Sequence, residues 1–168
     1  MIRPLGFLDD LRPAFVAHLA ERLSEQICAE TQAVATRHGV VAPVRSHSTM
    51  LFLLRRGPAT IAEMARTDGQ SHQLLASRIA PIERAGLIER FDDPADARRR
   101  PYRLTKSGRA EAEAIAADTR RTAAAMEQVF TEIGVDLIAA IEQAAERLRR
   151  HPLADRIAAF ERMEAGYA

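Results

Sequence analysis

Cysteine, lysine and tryptophan are nearly absent from this sequence of 168 residues, which has one Cys, no Trp and, at Lys106, one lysine. A single cysteine, Cys28, excludes an internal disulfide, and such sparse cysteine is usual in reducing compartments. No stretch reaches the roughly 18 apolar residues that a membrane span requires. Residues 1–6 lack the apolar segment of a signal peptide. We therefore expect a cytoplasmic protein that does not bind a membrane.

Motifs of enzymes and metal sites are also missing. The sequence has no GxSxG, HExxH, CxxC, GxGxxG or P-loop pattern. Its five histidines show no spacing with cysteine or carboxylates that would suit a metal ion. We predict that the chain is not an enzyme and uses no cofactor or metal.

Arginine is abundant, and it is unevenly placed. The net charge is only +1, but residues 70–109 contain nine Lys or Arg and five Asp or Glu, so the rest of the chain is acidic. A basic middle between acidic ends favours a polyanionic partner.

Helices dominate the predicted secondary structure. Apolar spacing and capping residues predict helices over 13–38, 44–56, 61–66, 71–84, 105–134, 135–150 and 153–165. Thr60 and Glu63 have the spacing of a capping box at the start of the third helix. Alternating residues over 87–91 and a basic run over 98–104, separated by turn residues, predict a β-hairpin.

The helix over 71–84 has two contrasting faces. Its apolar stripe, which we expect to face the core, consists of Leu75, Ile79 and Ile82. Its opposite stripe is small and polar except for one arginine, and consists of Gln73, Ser77, Ala80 and Arg84. Small side chains let a helix enter a major groove about 12 Å wide. The alternative is an ordinary solvated face, which the basic hairpin that follows makes less attractive.

The hairpin carries crowded positive charge. Four arginines lie on its returning arm, at 98, 99, 100 and 103. Crowding them is costly without an anion nearby, which favours contact with a nucleic acid over a merely solvated loop.

In this order, the segments resemble the MarR family of winged helix-turn-helix transcriptional regulators. The matching segments are 57–65 (GPATIAEMA), 69–72 (GQSH), 82–90 (IERAGLIER), 93–98 (DPADAR) and 104–108 (LTKSG). The resemblance implies a mainly α fold with a small β-hairpin wing and long terminal dimerisation helices. The implied domains are an N-terminal dimerisation helix over 1–40, a winged helix-turn-helix over 41–108 and C-terminal dimerisation helices over 109–168.

The resemblance also implies partners. We expect a homodimer that binds a pseudo-palindromic operator in double-stranded DNA and is controlled by a small aromatic or anionic ligand. The expected DNA contacts are Ser71, His72, Gln73, Ser77, Arg78, Arg84, Arg98, Arg99 and Arg100. The family's effector pocket lies beside the winged domain, so Arg45 and His47 are candidates for binding an anion there; the simpler alternative for His47 is a solvated residue at the start of a helix.

Two further alternatives stay open at this stage. The winged helix could be a protein–protein interaction module without operator binding, an interpretation that the basic hairpin disfavours. The terminal helices could form an intramolecular bundle, although a winged helix needs only roughly 50–60 residues and leaves them little to cover. Cys28 is predicted to be a small buried apolar residue rather than a peroxide sensor.

Overall fold

Apolar periodicity produces the helices, and capping groups set their ends. In a computed structural model, which describes residues 10–92 and 99–165, helix α1 spans Val16–Arg37 after a short 3₁₀ helix over Arg12–Phe15. A second 3₁₀ turn over Val44–Ser46 leads into the next helix. The remaining helices are α2 (His47–Arg56), α3 (Ile61–Asp68), α4 (His72–Arg84), α5 (Lys106–Ile133), α6 (Leu137–Arg150) and α7 (Leu153–Ala165).

Both ends of α3 are built as the sequence predicts. The Thr60 hydroxyl accepts from the Glu63 amide at 3.3 Å, and the Glu63 carboxylate accepts from the Thr60 amide at 2.7 Å, which confirms the capping box. Gly69 ends α3 in the left-handed region at φ 63°, a conformation that costs glycine little. The chain can therefore reverse within a few residues and start α4.

The predicted hairpin forms from strands β1 (Ile88–Arg90) and β2 (Tyr102–Leu104), which pair antiparallel. The strands are shorter than predicted, although the Phe91 amide still donates to the Pro101 carbonyl at 3.1 Å. Ala59 adds a bridge to β2 through two hydrogen bonds with Tyr102, which the sequence did not predict. Residues 93–98 lie outside the described residues.

Contacts divide the chain into two units, Met1–Thr122 and Ala123–Ala168. The first unit has an apolar core to which α2, α3, α4, the hairpin and the first half of α5 contribute. Its most buried large side chains are Met50, Met64, Leu75, Ile79, Ile82, Ile88, Tyr102 and Ile115. The predicted fold class, mainly helical with a small hairpin, is confirmed. The bounds of the three predicted domains stay a prediction.

The second unit is described by α6, α7 and the end of α5, and none of its described residues is buried. Its exposed large apolar side chains are Val129, Ile133, Val135, Ile138, Ile141, Leu148, Leu153, Ile157, Phe160 and Met163. Exposed apolar side chains in this number favour an interaction surface.

Candidate nucleic-acid interface

Helix α4 is fixed at its start and along its inner face. The Ser71 hydroxyl caps it by accepting from the Leu74 amide at 3.2 Å. Leu75, Ile79 and Ile82 are at most 2% exposed, which confirms the predicted core stripe. The Ser46 hydroxyl also donates to the Arg78 carbonyl at 2.7 Å. The helix is therefore held rigidly enough to present one defined outer face.

That outer face carries the predicted residues Gln73, Ser77, Ala80 and Arg84, all of them exposed. Two of their polar groups are already engaged within the helix. The Ser77 hydroxyl donates to the Leu74 carbonyl at 2.7 Å, and the Arg84 Nε donates to the Ala80 carbonyl at 3.2 Å. The Gln73 amide makes no hydrogen bond with any described residue, and it offers both a donor and an acceptor.

Arg78 flanks this face rather than standing on it. It is half-buried, and its Nη1 donates to the Gln70 side-chain oxygen at 2.7 Å. Its Nε is buried without a partner among the described residues. Arg78 therefore braces the turn before α4, while His72 and Ser71 are exposed at the helix start.

Glu83 is the only carboxylate on α4, and the base of the hairpin neutralises it. Glu83 lies 3.6 Å from the Arg90 Nε and accepts a long hydrogen bond from the Tyr102 hydroxyl at 3.4 Å. The Arg90 guanidinium lies 4.7 Å from the centre of the Tyr102 ring, within reach of a cation–π interaction. Burial raises the pKa of Tyr102, so its hydroxyl stays protonated. This contact between α4 and the hairpin was not predicted, because its members are far apart in sequence.

The hairpin arginines already have anions nearby, which corrects the argument made from their crowding. Arg99 lies 2.6 Å from the Glu63 carboxylate. The other two described arginines pair with carboxylates of the hairpin itself. Arg100 lies 3.7 Å from Asp92, and Arg103 lies 2.8 Å from Glu89. These three arginines therefore do not require DNA to offset their charge. The predicted contact Arg98 lies outside the described residues.

The two effector candidates have different surroundings. Arg45 is exposed, whereas His47 is buried at 7% exposure. The His47 Nε2 donates to the Ala42 carbonyl at 3.2 Å, and burial lowers the pKa of the ring. These facts give His47 a structural role in place of the solvated one considered from the sequence. Contact of either residue with an effector stays a prediction.

A cluster of ionisable groups that the sequence did not reveal lies around the same loop. One Glu111 oxygen accepts from the amides of Val41 and Ala42 at 2.6 and 2.8 Å. Asp118, 5% exposed, accepts from Arg121 at 2.6 Å and lies 2.8 Å from the His38 Nδ1. These contacts bind the loop after α1 to α5.

Within residues 10–92 and 99–165, no three His, Cys, Asp or Glu side chains come together as a metal site would need. In the same part of the chain, no helix combines the length and apolar character of a membrane span.

Solved structures that are similar to this chain include regulators of the MarR family. A crystal structure of the MarR family transcription regulator SP03579 matches 84% of this chain and 91% of its own, at 26% identity and a TM-score of 0.60. This chain is therefore similar in sequence and structure to a regulator of the MarR family. No protein-family model and no curated protein sequence matches it.

Two further structures share the MarR fold with this chain. Reduced AbfR bound to DNA is 20% identical, with 86% of this chain and 96% of that chain covered and a TM-score of 0.62. The MepR–DNA complex of S. aureus is 19% identical, with 80% and 93% covered and a TM-score of 0.57. Long helices outside the winged helix are thus part of a recurring architecture.

Proposed function

We propose that this chain is a homodimeric transcription regulator of the MarR family that binds a pseudo-palindromic operator with α4 and the hairpin. The observation that carries the proposal is the outer face of α4, which is exposed, small and free of carboxylates. A neighbouring regulator of the same family and two DNA-bound proteins of the same fold support it. None of these neighbours is described as an enzyme, which agrees with the absence of catalytic motifs from the sequence.

The residues of α4 divide between reading bases and binding phosphates. Gln73 lies in the first turn, and a helix-turn-helix usually reads bases with the first part of its recognition helix. Its free amide suits adenine, which offers an acceptor at N7 and a donor at N6. Arg84 lies three turns later and is expected to meet phosphate, together with His72 at the helix start and the hairpin arginines.

The exposed apolar side chains support the proposed homodimer. The second unit has ten large apolar side chains at 41–67% exposure, and α1 adds Leu23 at 42%. A second copy of the same chain would cover these side chains, and two-fold dimers are the commonest oligomers of soluble proteins. Two recognition helices related by such an axis would read half-sites roughly one helical turn, about 34 Å, apart.

Control by a small aromatic or anionic ligand rests on the family resemblance alone. Titrating small aromatic carboxylates against the protein–DNA complex tests it separately. Release of the DNA by at least one of them at sub-millimolar concentration is the expected result. If none releases it, the ligand is of another class or the regulator needs none.

Selection of duplexes from a random pool by the full-length protein tests operator binding. We expect a two-fold symmetric consensus. The logarithm of the binding constant should fall by about 0.9 per phosphate contact for each tenfold rise in salt concentration. Gln73→Ala should relax base preference at one symmetric pair of positions, and Arg84→Ala should weaken selected and random duplexes alike. A protein that enriches no sequence and shows no dependence on salt would instead favour an interaction module.

A further inference from the structure

Leu74 is an exposed apolar side chain in the first turn of α4. It is 44% exposed, whereas the next residue, Leu75, is 2% exposed in the core. Single exposed leucines are common on protein surfaces. What distinguishes Leu74 is its position, directly beside Gln73 in the part of the helix proposed to enter the groove.

No carboxylate of α4 lies within two turns of Leu74, and Arg78, one turn beyond it, donates to the Gln70 side chain. Glu83, the carboxylate of α4, lies more than two turns away and is paired with Arg90. The hydroxyl of Ser77, one turn beyond Leu74, donates to the Leu74 carbonyl. The Ser77 Oγ can therefore only accept a hydrogen bond from a base. Next to the leucine, the Gln73 amide makes no hydrogen bond with any described residue.

We propose that Leu74 contacts the 5-methyl group of a thymine in the major groove, beside the base pair that Gln73 reads. The inference rests on the proposed function, because it needs α4 to enter the groove. The thymine methyl is the one apolar group on the major-groove edges of the four base pairs. A leucine that faced only the polar edges would gain nothing from leaving water, whereas against a methyl it buries apolar surface on both sides.

The test removes the methyl group without changing base pairing. Each thymine of a duplex selected by the wild-type protein is replaced by deoxyuridine, one symmetric pair at a time, and binding is titrated. Removing the methyl contact should weaken wild-type binding about fourfold for each half-site, and so about fifteenfold when the thymines of both half-sites are replaced. Leu74→Ala should bind the thymine and uracil duplexes equally, at about the wild-type affinity for the uracil duplex.

Two variants keep the test decisive. Leu74→Met retains an apolar side chain and should keep the thymine preference. Gln73→Ala should keep that preference while losing discrimination at the neighbouring base pair. Since Leu74 is exposed, Leu74→Ala should unfold at the wild-type temperature, so lost binding would not reflect lost folding.

The outcomes separate this inference from the proposed function. A wild-type protein that selects an operator but is indifferent to every thymine methyl overturns the role of Leu74 and leaves operator binding intact. A Leu74→Ala variant as sensitive to uracil as the wild type does the same. If the wild type selects no duplex at all, operator binding and the role of Leu74 are both wrong.

Discussion

Replacing Gly108 by alanine should destabilise the protein, although helix propensity alone predicts the opposite. Gly108 lies in the first turn of α5, where alanine normally stabilises a helix by about 1 kcal/mol relative to glycine. A β-carbon at this position would lie 1.7 Å from the carbonyl oxygen of Leu87 and 2.7 Å from its carbonyl carbon. Both are backbone atoms at the start of the hairpin, so no side-chain rotation relieves the clash.

The size of the effect follows from what must move. Leu87 and the start of α5 would have to separate by more than an ångström. The Leu87 carbonyl accepts from the Thr105 amide at 3.0 Å and its hydroxyl at 3.2 Å, and that hydroxyl also donates to Gly86 at 2.8 Å. Losing such hydrogen bonds costs about 1 kcal/mol each, and overpacking costs about 1–3 kcal/mol. After the gain in helix propensity, we expect a net loss of about 2–4 kcal/mol.

Urea unfolding of Gly108→Ala and wild type at equal protein concentration measures this loss. Arg109→Ala is the matched control, because it alters the next, exposed position of the same turn and should change stability by less than about 0.5 kcal/mol. A Gly108→Ala variant as stable as the wild type, or more stable, would refute the close approach and leave helix propensity as the deciding term.

Three shorter predictions concern the dimer, the hairpin and the cysteine. Ile141→Glu, on the apolar face of α6, should shift the dimer towards monomer in sedimentation at micromolar concentration, whereas Gln143→Glu on the opposite face should not; equal behaviour of the two variants would refute the interface. Arg99→Ala and Glu63→Ala should show a coupling of about 0.5–1 kcal/mol in a double-mutant cycle of unfolding, and additive effects would mean that the pair contributes nothing. Cys28→Ser should keep DNA binding, and peroxide should not release the wild type; release that the variant lacks would make Cys28 a sensor.

Local rules account for the part of the fold that the sequence predicts well. The apolar stripe of α4, the capping box at Thr60 and the glycine at 69 each depend on residues within one or two helical turns. Such features can be predicted from the sequence, because the residues that form them are close together in the chain. The exposed face of α4, with Gln73 and Ser77, follows from the same periodicity.

Pairings between distant residues could not be predicted in this way. Glu111 binds backbone amides about 70 positions earlier, and Arg99 meets a glutamate 36 positions away. From the sequence alone, any of several carboxylates could have paired with Arg99. The carboxylates that pair with Arg99, Arg100 and Arg103 become their neighbours only after folding. Contact of these arginines with DNA stays a prediction.

The buried His47 makes stability depend on pH with a defined sign. Burial lowers the pKa of its imidazole below the usual value, although the hydrogen bond to Ala42 and the charges of Glu111 and Asp118 oppose the shift. The unfolded chain therefore takes up a proton near pH 6.5, before the folded protein does. The contribution of His47 to the free energy of unfolding is fully present above this pH. It decreases as the pH falls towards the pKa of His47 in the folded protein, by at most about 1.4 kcal/mol per pH unit.

His47→Gln should remove this dependence, because glutamine can still donate to the Ala42 carbonyl but does not titrate. The measurement is the free energy of unfolding at intervals from pH 7.5 to pH 5, compared as a difference from wild type. His18→Gln changes an exposed histidine of α1 and should leave the slope in place. If wild type and His47→Gln lose stability in parallel across this range, His47 is not the group whose titration sets the pH dependence.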